Sequence, residues 1–257
     1  MQMEHFEKFS EKDASRCWRG SFRKGMTGIP EICRKLDYPE TVFIKDRPKI
    51  TIGLVDGFFV KRYNMPGVFT QIRNRFKRSR VKIFCSGAEL LHKIGIPTPQ
   101  VMAMVFGYKG WKREDYLVTE ILSPECRVLS NLSQDEAWKA VLFNVLPMLI
   151  KCHNSGLYHG DLSLRNIYID GSGNAGLIDL DGVKLFAGKV PDHFREKELA
   201  RLLTGFTIKF LQNKGIEKYI DEFWQIYQQN TTDLPDKKRF LKCVEHFVQK
   251  GKKYFPA

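Results

Sequence analysis

Residues 159–166 read HGDLSLRN, and LIDLDG follows at residues 177–182. These segments place three polar side chains at fixed spacing: Asp161, then Asn166 five residues later, then Asp179 after thirteen more. Transfer of a phosphoryl group needs a carboxylate that accepts the proton of the attacking hydroxyl, and oxygen ligands that hold magnesium on the phosphates. We therefore predict that Asp161 is the catalytic base and that Asn166 and Asp179 bind the metal, and with it the nucleotide.

The spacing resembles the catalytic loop H-R-D-x-x-x-x-N of protein kinases and the metal-binding D-F-G that follows it. In this chain Gly160 replaces the usual arginine, and Leu180 and Asp181 replace the Phe and Gly. Aspartate and asparagine are also common in turns, so each residue alone fits a simple turn cap. The joint spacing, on two short strands connected by a turn, favours the catalytic interpretation.

The surrounding segments predict a small antiparallel sheet. Apolar and polar residues alternate from residue 41 to residue 64, and Asp56 and Gly57 separate two such runs as a hairpin turn. The segment VMAMVFGYKGWKREDYLVTEIL predicts two further strands around residues 107–113. IYID and AGLIDL predict two short strands joined by a turn at residues 171–173.

Three regions are predicted to be helical. Residues 70–94 form the first, which begins in the basic stretch RNRFKRSRVK and ends where a glycine and two prolines follow. Residues 133–155 form the second, in which Ser133 and Glu136 have the spacing of a capping box. The last region, residues 194–254, is mainly helical.

This order of elements predicts an α+β fold with the bilobal architecture of protein kinases. We expect one domain, residues 1–257, because no internal repeat, low-complexity tract or long linker divides the chain. Residues 1–121 are the expected lobe with a small antiparallel sheet, and residues 122–257 the expected mainly helical lobe. A ligand site is expected between two such lobes.

Further nucleotide contacts are predicted in the sheet lobe. Lys61 ends the apolar run FFVK, where kinases keep the lysine that binds the α- and β-phosphates. Glu120 and Leu122 lie in YLVTEIL, the segment expected to join the lobes, where backbone groups would meet adenine. Such lysines and glutamates also often face solvent. No glycine-rich loop precedes Lys61, so residues 45–49 are the expected cover of the phosphates.

This chain lacks several features of protein kinases, and their absence indicates which kind of molecule accepts the phosphate. Ser163 stands where protein kinases often have a lysine, and no A-P-E sequence follows Asp179. Residues 182–196 leave little room for a segment that docks a peptide. A hydroxyl of a small molecule or a glycolipid is therefore the preferred acceptor.

The segments together resemble the lipopolysaccharide core kinases of Gram-negative bacteria, the Kdo/WaaP family, over about residues 55–203. The resemblance lies in FFVKRYN, LLHKIGIPTPQVMA, YLVTEIL, HGDLSLRNIYID, LIDLDGVK and KELARLL. It implies a kinase-like fold and the use of ATP and Mg²⁺ to phosphorylate heptose or Kdo sugars of the inner core. It also implies that Lys61 contacts ATP, Asp161 is the base, and Asn166 and Asp179 bind the metal.

One residue departs from the family pattern. Members usually carry a glutamate on the helix that pairs with the ATP-binding lysine. It lies about eleven residues before the glycine that ends the helix, and in this chain Phe84 occupies that position. Glu89 lies on another face of the helix, since five residues rotate it by about 140°. Either Glu89 pairs with Lys61 through a shifted helix, or the partner comes from elsewhere. Glu198, in KELARLL, is expected to support the catalytic loop, although an exposed helix charge fits equally well.

Charge and cysteine usage bear on partners and location. Lys and Arg number 42 against 29 Asp and Glu, and the formal charge of +13 attracts phosphates, nucleic acid or anionic lipid. The basic stretches RNRFKRSRVK and QKGKKYF suit either an anionic glycolipid and membrane surface or a solvated helix face. No nucleic-acid-binding motif accompanies the charge, so no nucleic-acid partner is expected. Six scattered cysteines predict reduced thiols.

The combined interpretation is an ATP-dependent kinase of a lipopolysaccharide core sugar, with heptose preferred over Kdo. Because the sequence shows no signal peptide and no long apolar run, we expect the protein to stay in the cytoplasm. The basic stretches and the family resemblance suggest a peripheral position on the cytoplasmic face of the inner membrane. Two alternatives stay open. One is a protein kinase, which Ser163 disfavours, and the other is an ATP-binding pseudokinase or scaffold at the membrane, which the missing helix glutamate favours.

Overall fold

A computed structural model describes residues 6–13, 16–64, 79–110, 112–211, 215–231 and 233–254. The chain forms two compact units, the first comprising Met1–Glu89 and Pro99–Leu122 and the second Leu90–Thr98 and Ser123–Ala257. The expectation of a single kinase-like domain stays a prediction. Within the described ranges, none of the helices combines the length and the apolar character that a membrane crossing requires.

A seven-stranded antiparallel sheet dominates the first unit. Its strand order is β1-β2-β6-β7-β5-β4-β3. The strands are β1 (Phe6–Lys12), β2 (Cys17–Arg23), β3 (Val42–Arg47), β4 (Ile50–Val55), β5 (Phe58–Tyr63), β6 (Val101–Lys109) and β7 (Lys112–Glu120). The predicted strands between residues 41 and 120 are therefore confirmed, whereas β1 and β2 were missed.

The hairpin between β4 and β5 turns at the predicted dipeptide. Val55 pairs with Phe58, so only two residues form the turn. Asp56 has φ 49° and Gly57 has φ 80°, the left-handed conformation that a two-residue hairpin of type I′ requires at both positions. The turn sets the register of β5 and hence the position of Lys61.

One face of this sheet is covered by helix α1 (Ile29–Arg34) and the turn that follows it. The helix buries Ile29, Ile32 and Cys33, and Leu36 comes directly after it. The sheet contributes side chains that are completely or almost completely buried, namely Trp18, Val55, Val60, Ala103, Val105, Tyr116 and Val118. Burial of this apolar surface holds β5 inside the sheet, between β7 and β4.

Helix α2 (Arg80–Lys93) is shorter than predicted. Ser79 is not helical, and its hydroxyl donates a hydrogen bond to Asp115 Oδ2 at 2.5 Å. The prediction of a helix that continues through this position is therefore wrong, because Ser79 bonds to β7 instead. The earlier predicted part, residues 70–78, lies outside the described residues. The predicted end before Gly95 is confirmed.

The second unit is mainly helical, as predicted. Its helices are α3 (Gln134–Ala140), α4 (Leu146–Asn154), α5 (Asp192–Leu211), α6 (Ile216–Gln229) and α7 (Lys237–Tyr254). Two small sheets accompany them. They contain β8 (Arg127–Val128), β9 (Leu157–Tyr158), β10 (Ile167–Ile169), β11 (Ala175–Leu177) and β12 (Lys184–Leu185). All six cysteines are free, which confirms the predicted thiols.

The predicted helix over residues 133–155 is present, with one irregularity. A π-helical turn, Val141–Val145, connects α3 to α4, and Pro147 lies in the first turn of α4. Proline has no N–H to donate, so a regular helix would leave a carbonyl one turn earlier without its donor. The wider turn accommodates that loss.

The capping box at the start of α3 is confirmed. The Ser133 hydroxyl accepts from the Glu136 N–H, and the Glu136 carboxylate accepts from the Ser133 N–H. Bonds from the Ser133 hydroxyl and N–H and from Arg127 lower the pKa of Glu136 to about 2. The box therefore ties an ionised carboxylate to the helix start.

We expect Ser133→Ala to lower the free energy of unfolding by about 1 kcal/mol, the usual effect of losing a helix cap. A carboxyl whose pKa is lowered on folding stabilises the protein only while it is ionised. The difference between wild type and variant should therefore shrink as the pH falls from 4.5 towards 2. Urea unfolding at a series of pH values measures this difference. Ser130→Ala is the control, and an equal effect there would contradict the assignment.

Candidate active site

The segment between β9 and β10 is anchored by buried leucines and presents a polar residue to solvent. Leu162 and Leu164 are buried at 0% and 4% exposure. The side chain of Asp161 is 75% exposed. Alternation of buried and exposed residues along an extended segment explains this arrangement. The carboxylate is thus accessible to an external molecule while its backbone is held by the core.

Asn166 is bonded to both motifs. Its Nδ2 donates to the backbone oxygen of Asp161 at 2.9 Å. Its own backbone oxygen accepts from the N–H of Ile178 at 3.0 Å. Because Ile178 directly precedes Asp179, the structure brings the three residues of the motif into one local hydrogen-bonded arrangement.

The segment before Asp179 is held from a second side by His159. The buried ring of His159 donates from Nε2 to the backbone oxygen of Ile178 at 3.0 Å. Both backbone groups of Ile178 are therefore bonded to residues of the loop. Among the described residues, Asp179 is one of two non-glycine residues with positive φ, at 59°. Such backbone conformations are concentrated at functional sites, where the surroundings hold them.

Gly160 explains why the usual arginine is absent. Its φ is 81°, and a Cβ built on it would lie 2.3 Å from the backbone oxygen of Gly182. The loop and the segment after Asp179 approach too closely for any side chain at this position. The glycine is therefore a steric requirement of the way the two segments contact each other.

Glu198 supports the loop from α5, which confirms the prediction made for it. The carboxylate is buried, with 2% exposure. Oε1 accepts from the Gly160 N–H at 2.9 Å, and Oε2 accepts from the His159 N–H at 3.3 Å. His153 Nε2 lies 3.0 Å from the same Oε2. A buried carboxylate with these partners fixes the backbone that carries Asp161.

Arg201 also contacts the loop and was not predicted from the sequence. Its Nη1 donates to the backbone oxygen of Gly160 at 2.5 Å and to Asp161 Oδ1 at 3.2 Å. Arg201 follows Glu198 by three residues, and residues at that spacing share one face of a helix. This spacing in KELARLL was the signal that could have found it.

Lys61 is described within the first unit. It lies in β5, where it pairs with Ile52 of β4 and Leu117 of β7. Its exposure is 4%, and its ammonium lies 5.4 Å from the ring centroid of Tyr63. Most lysines face solvent, so a lysine with this little exposure is uncommon. Glu89 is exposed, and its pairing with Lys61 stays a prediction.

Glu120 and Leu122 lie at the end of β7 and just after it. Glu120 Oε1 accepts from the backbone N–H of Gln100 at 2.9 Å, so its side chain caps the start of β6. Leu122 is partly buried. The expected contact of this segment with adenine stays a prediction.

Gly160→Ala should destabilise the protein more than Gly173→Ala. Both glycines have similar positive φ, 81° and 85°, but a Cβ at Gly173 meets nothing within 4 Å. We expect Gly173→Ala to cost about 1–2 kcal/mol through its backbone alone. Crowding against Gly182 should add about 1–3 kcal/mol at Gly160. Equal losses in urea unfolding would show that the close approach is unimportant.

Glu198→Ala should lower the free energy of unfolding by about 3–5 kcal/mol, because it leaves buried donors without an acceptor. Glu198→Gln should cost less, since its remaining oxygen still accepts. Lys197→Ala, at the exposed neighbouring position, serves as the control and should have little effect. Chemical denaturation of the three variants measures these differences. A loss at Glu198 no larger than at Lys197 would contradict the support role.

Comparisons with known proteins identify the family of this chain. The model of the lipopolysaccharide kinase (Kdo/WaaP) family matches residues 71–227. The 3-deoxy-D-manno-octulosonic acid kinase of Photobacterium damsela subsp. piscicida is 30% identical over 138 residues, 53% of this chain and 54% of the relative. The match thus spans about half the length of that relative.

A solved structure shows the fold. The structure of WaaP in complex with acyl carrier protein matches with a TM-score of 0.60 and 18% identity, over 85% of this chain and 91% of that one. This likeness confirms the predicted kinase-like fold. Because the family model matches more than half of the 257 residues, the chain belongs to the lipopolysaccharide kinase (Kdo/WaaP) family.

Proposed function

We propose that this protein is an ATP-dependent kinase that phosphorylates a sugar hydroxyl of the lipopolysaccharide inner core. The observation that carries the proposal is the exposed Asp161 carboxylate on a loop whose backbone is bonded to Glu198 and Asn166. A reactive group needs a rigid support to meet its substrate in a fixed geometry. This loop provides the support while leaving the carboxylate accessible.

Asp161 acts as the general base in this proposal. It accepts the proton from the sugar hydroxyl as that oxygen attacks the terminal phosphorus of ATP. Its 75% exposure suits an acceptor as large as a glycolipid core, which must approach from solvent. Positioning of the hydroxyl is the main contribution that a protein makes to this reaction.

Asn166 and Asp179 would hold the magnesium ion. Within the described ranges, no cluster of three or more His, Cys, Asp or Glu is placed to hold a metal. Magnesium on a nucleotide does not need one, because it uses one or two protein oxygens together with phosphates and water. The bond from Asn166 Nδ2 to Asp161 orients the amide so that its Oδ1 stays available as a ligand. When bound, the ion neutralises charge on the phosphates.

The remaining nucleotide contacts come from the first unit. We assign Lys61 to the α- and β-phosphates, because it ends the strand segment FFVK, where kinases keep the lysine that binds these phosphates. Glu120 and Leu122 mark the segment whose backbone would meet adenine, and Glu89 is the candidate partner of Lys61. These assignments rest on the family pattern.

The acceptor is a core sugar, and two candidates are kept. Heptose is the sugar predicted from the sequence. The relative from Photobacterium, which is matched over 54% of its length, is named a 3-deoxy-D-manno-octulosonic acid kinase. We therefore propose assays with both sugars. The net charge of +13 suits an anionic glycolipid at the cytoplasmic face of the inner membrane.

Asp161→Asn should lower kcat for phosphate transfer by about 10²–10⁴-fold, the usual contribution of a general base. The amide keeps the size of the side chain but cannot accept the proton. Transfer from labelled ATP to purified heptose-containing core and to Kdo-containing lipid A measures the effect. Mass spectrometry of the product would identify the sugar that carries the new phosphate.

Asp135→Asn is the control for this substitution, since Asp135 is an exposed residue in the first turn of α3. It should leave transfer unchanged. Activity of Asp161→Asn within a few fold of wild type would remove Asp161 as the base. Magnesium-dependent ATP binding without transfer to either sugar would instead favour a pseudokinase.

A further inference from the structure

The charge next to Asp161 comes from α5 and not from the loop itself. Protein kinases often have a lysine two residues after the catalytic aspartate, and Ser163 stands there in this chain. In the structure the cation beside Asp161 is Arg201, whose Nη1 lies 3.2 Å from Oδ1. The same nitrogen bonds the Gly160 backbone oxygen at 2.5 Å. One guanidinium thus contacts both the side chain of Asp161 and the backbone that precedes it.

Arg201 is itself held in place. Its side chain is 27% exposed, and its guanidinium lies 5.5 Å from the ring centroid of Phe247 on α7. A cation above an aromatic ring is attracted by the electrons of the ring face, and arginine is often found in this position. Three groups from two other segments therefore fix one end of a long flexible side chain.

The energetics of this contact favour a role in positioning. An ion pair with such an exposed carboxylate contributes little to stability, since water screens it and ordering the side chains costs entropy. Its geometric effect is larger, because it restrains the rotation of an otherwise solvent-exposed carboxylate. Because Arg201 bonds Oδ1, Oδ2 is the oxygen of Asp161 that can meet an acceptor hydroxyl.

We propose that Arg201 is a positioning residue that holds Oδ1 of Asp161, so that Oδ2 receives the proton of the acceptor hydroxyl. This inference rests on the proposed kinase function. Helix α5 then contacts the loop through two side chains. Glu198 accepts from the backbone N–H groups of His159 and Gly160. Arg201 donates to the carbonyl oxygen of Gly160 and to the carboxylate of Asp161. The proton moves from the acceptor oxygen to Oδ2 as the new phosphorus–oxygen bond forms and ADP leaves.

The test compares Arg201→Met with Arg201→Lys. Methionine keeps much of the length but no charge, so kcat should fall about 10- to 100-fold, the size expected from a misplaced reactive group. The KM values for ATP and for the core sugar should stay within about twofold, because neither ligand loses a contact. Lysine can place one ammonium near both acceptors and should restore a large part of kcat.

Arg239→Met is the matched control. Arg239 joins α7 to α5 through Glu196, 3.1 Å away, and contacts neither loop residue in the structure. It should lower the midpoint of thermal unfolding while kcat stays near the wild-type value. Arg201→Met should show the opposite pattern, with the midpoint nearly unchanged and kcat reduced.

Several outcomes would overturn the inference. The first is an unchanged kcat for Arg201→Met while the wild type transfers phosphate. The second is a higher KM for the sugar at unchanged kcat. The third is a well-folded Arg201→Met variant whose loss of kcat is not recovered in Arg201→Lys. If the methionine variant does not fold, Arg201→Gln against Arg201→Lys provides the same comparison of neutral and charged side chains. If the wild-type protein phosphorylates neither sugar, both this inference and the proposed function are overturned. If the wild type transfers phosphate but the Arg201 variants give one of the results above, only this inference is overturned.

Discussion

The buried carboxylate of Glu198 is the constraint on which the candidate site depends. A carboxyl group in the interior must be matched by hydrogen-bond partners, because burying a polar group without them is costly. The donors here include the backbone N–H groups of His159 and Gly160, so satisfying the carboxylate also fixes the loop. The packing of α5 inside the second unit therefore determines where the backbone of Asp161 lies.

The second half of the site is fixed by bonds of the same kind. His159 and Asn166 bond the two backbone groups of Ile178, and the residue after it, Asp179, adopts a left-handed conformation. These bonds fix the backbone around the motif, while the Asp161 carboxylate stays 75% exposed. A rigid backbone beneath an exposed carboxylate suits the proposed phosphoryl transfer, because positioning contributes most of the catalysis in such reactions.

Local patterns predicted most elements, and the errors have identifiable causes. The strands from β3 to β7 were predictable because alternation and the turn at Asp56 and Gly57 are local signals. β1 is an edge strand whose side chains are mostly exposed, so it shows almost no alternation and was missed. The start of α2 was placed too early because Ser79 bonds to Asp115, 36 residues away in sequence.

The sequence by itself determined the motif, the fold class and the family, because the spacing of Asp161, Asn166 and Asp179 and the order of elements can be read along the chain. Only the tertiary structure decided that Gly160 must lack a side chain, that Glu198 is buried against the loop and that Arg201 contacts Asp161. These facts depend on contacts between residues that lie 22 to 41 positions apart. Such contacts arise when helices and loops pack together, and no periodicity in the sequence encodes them.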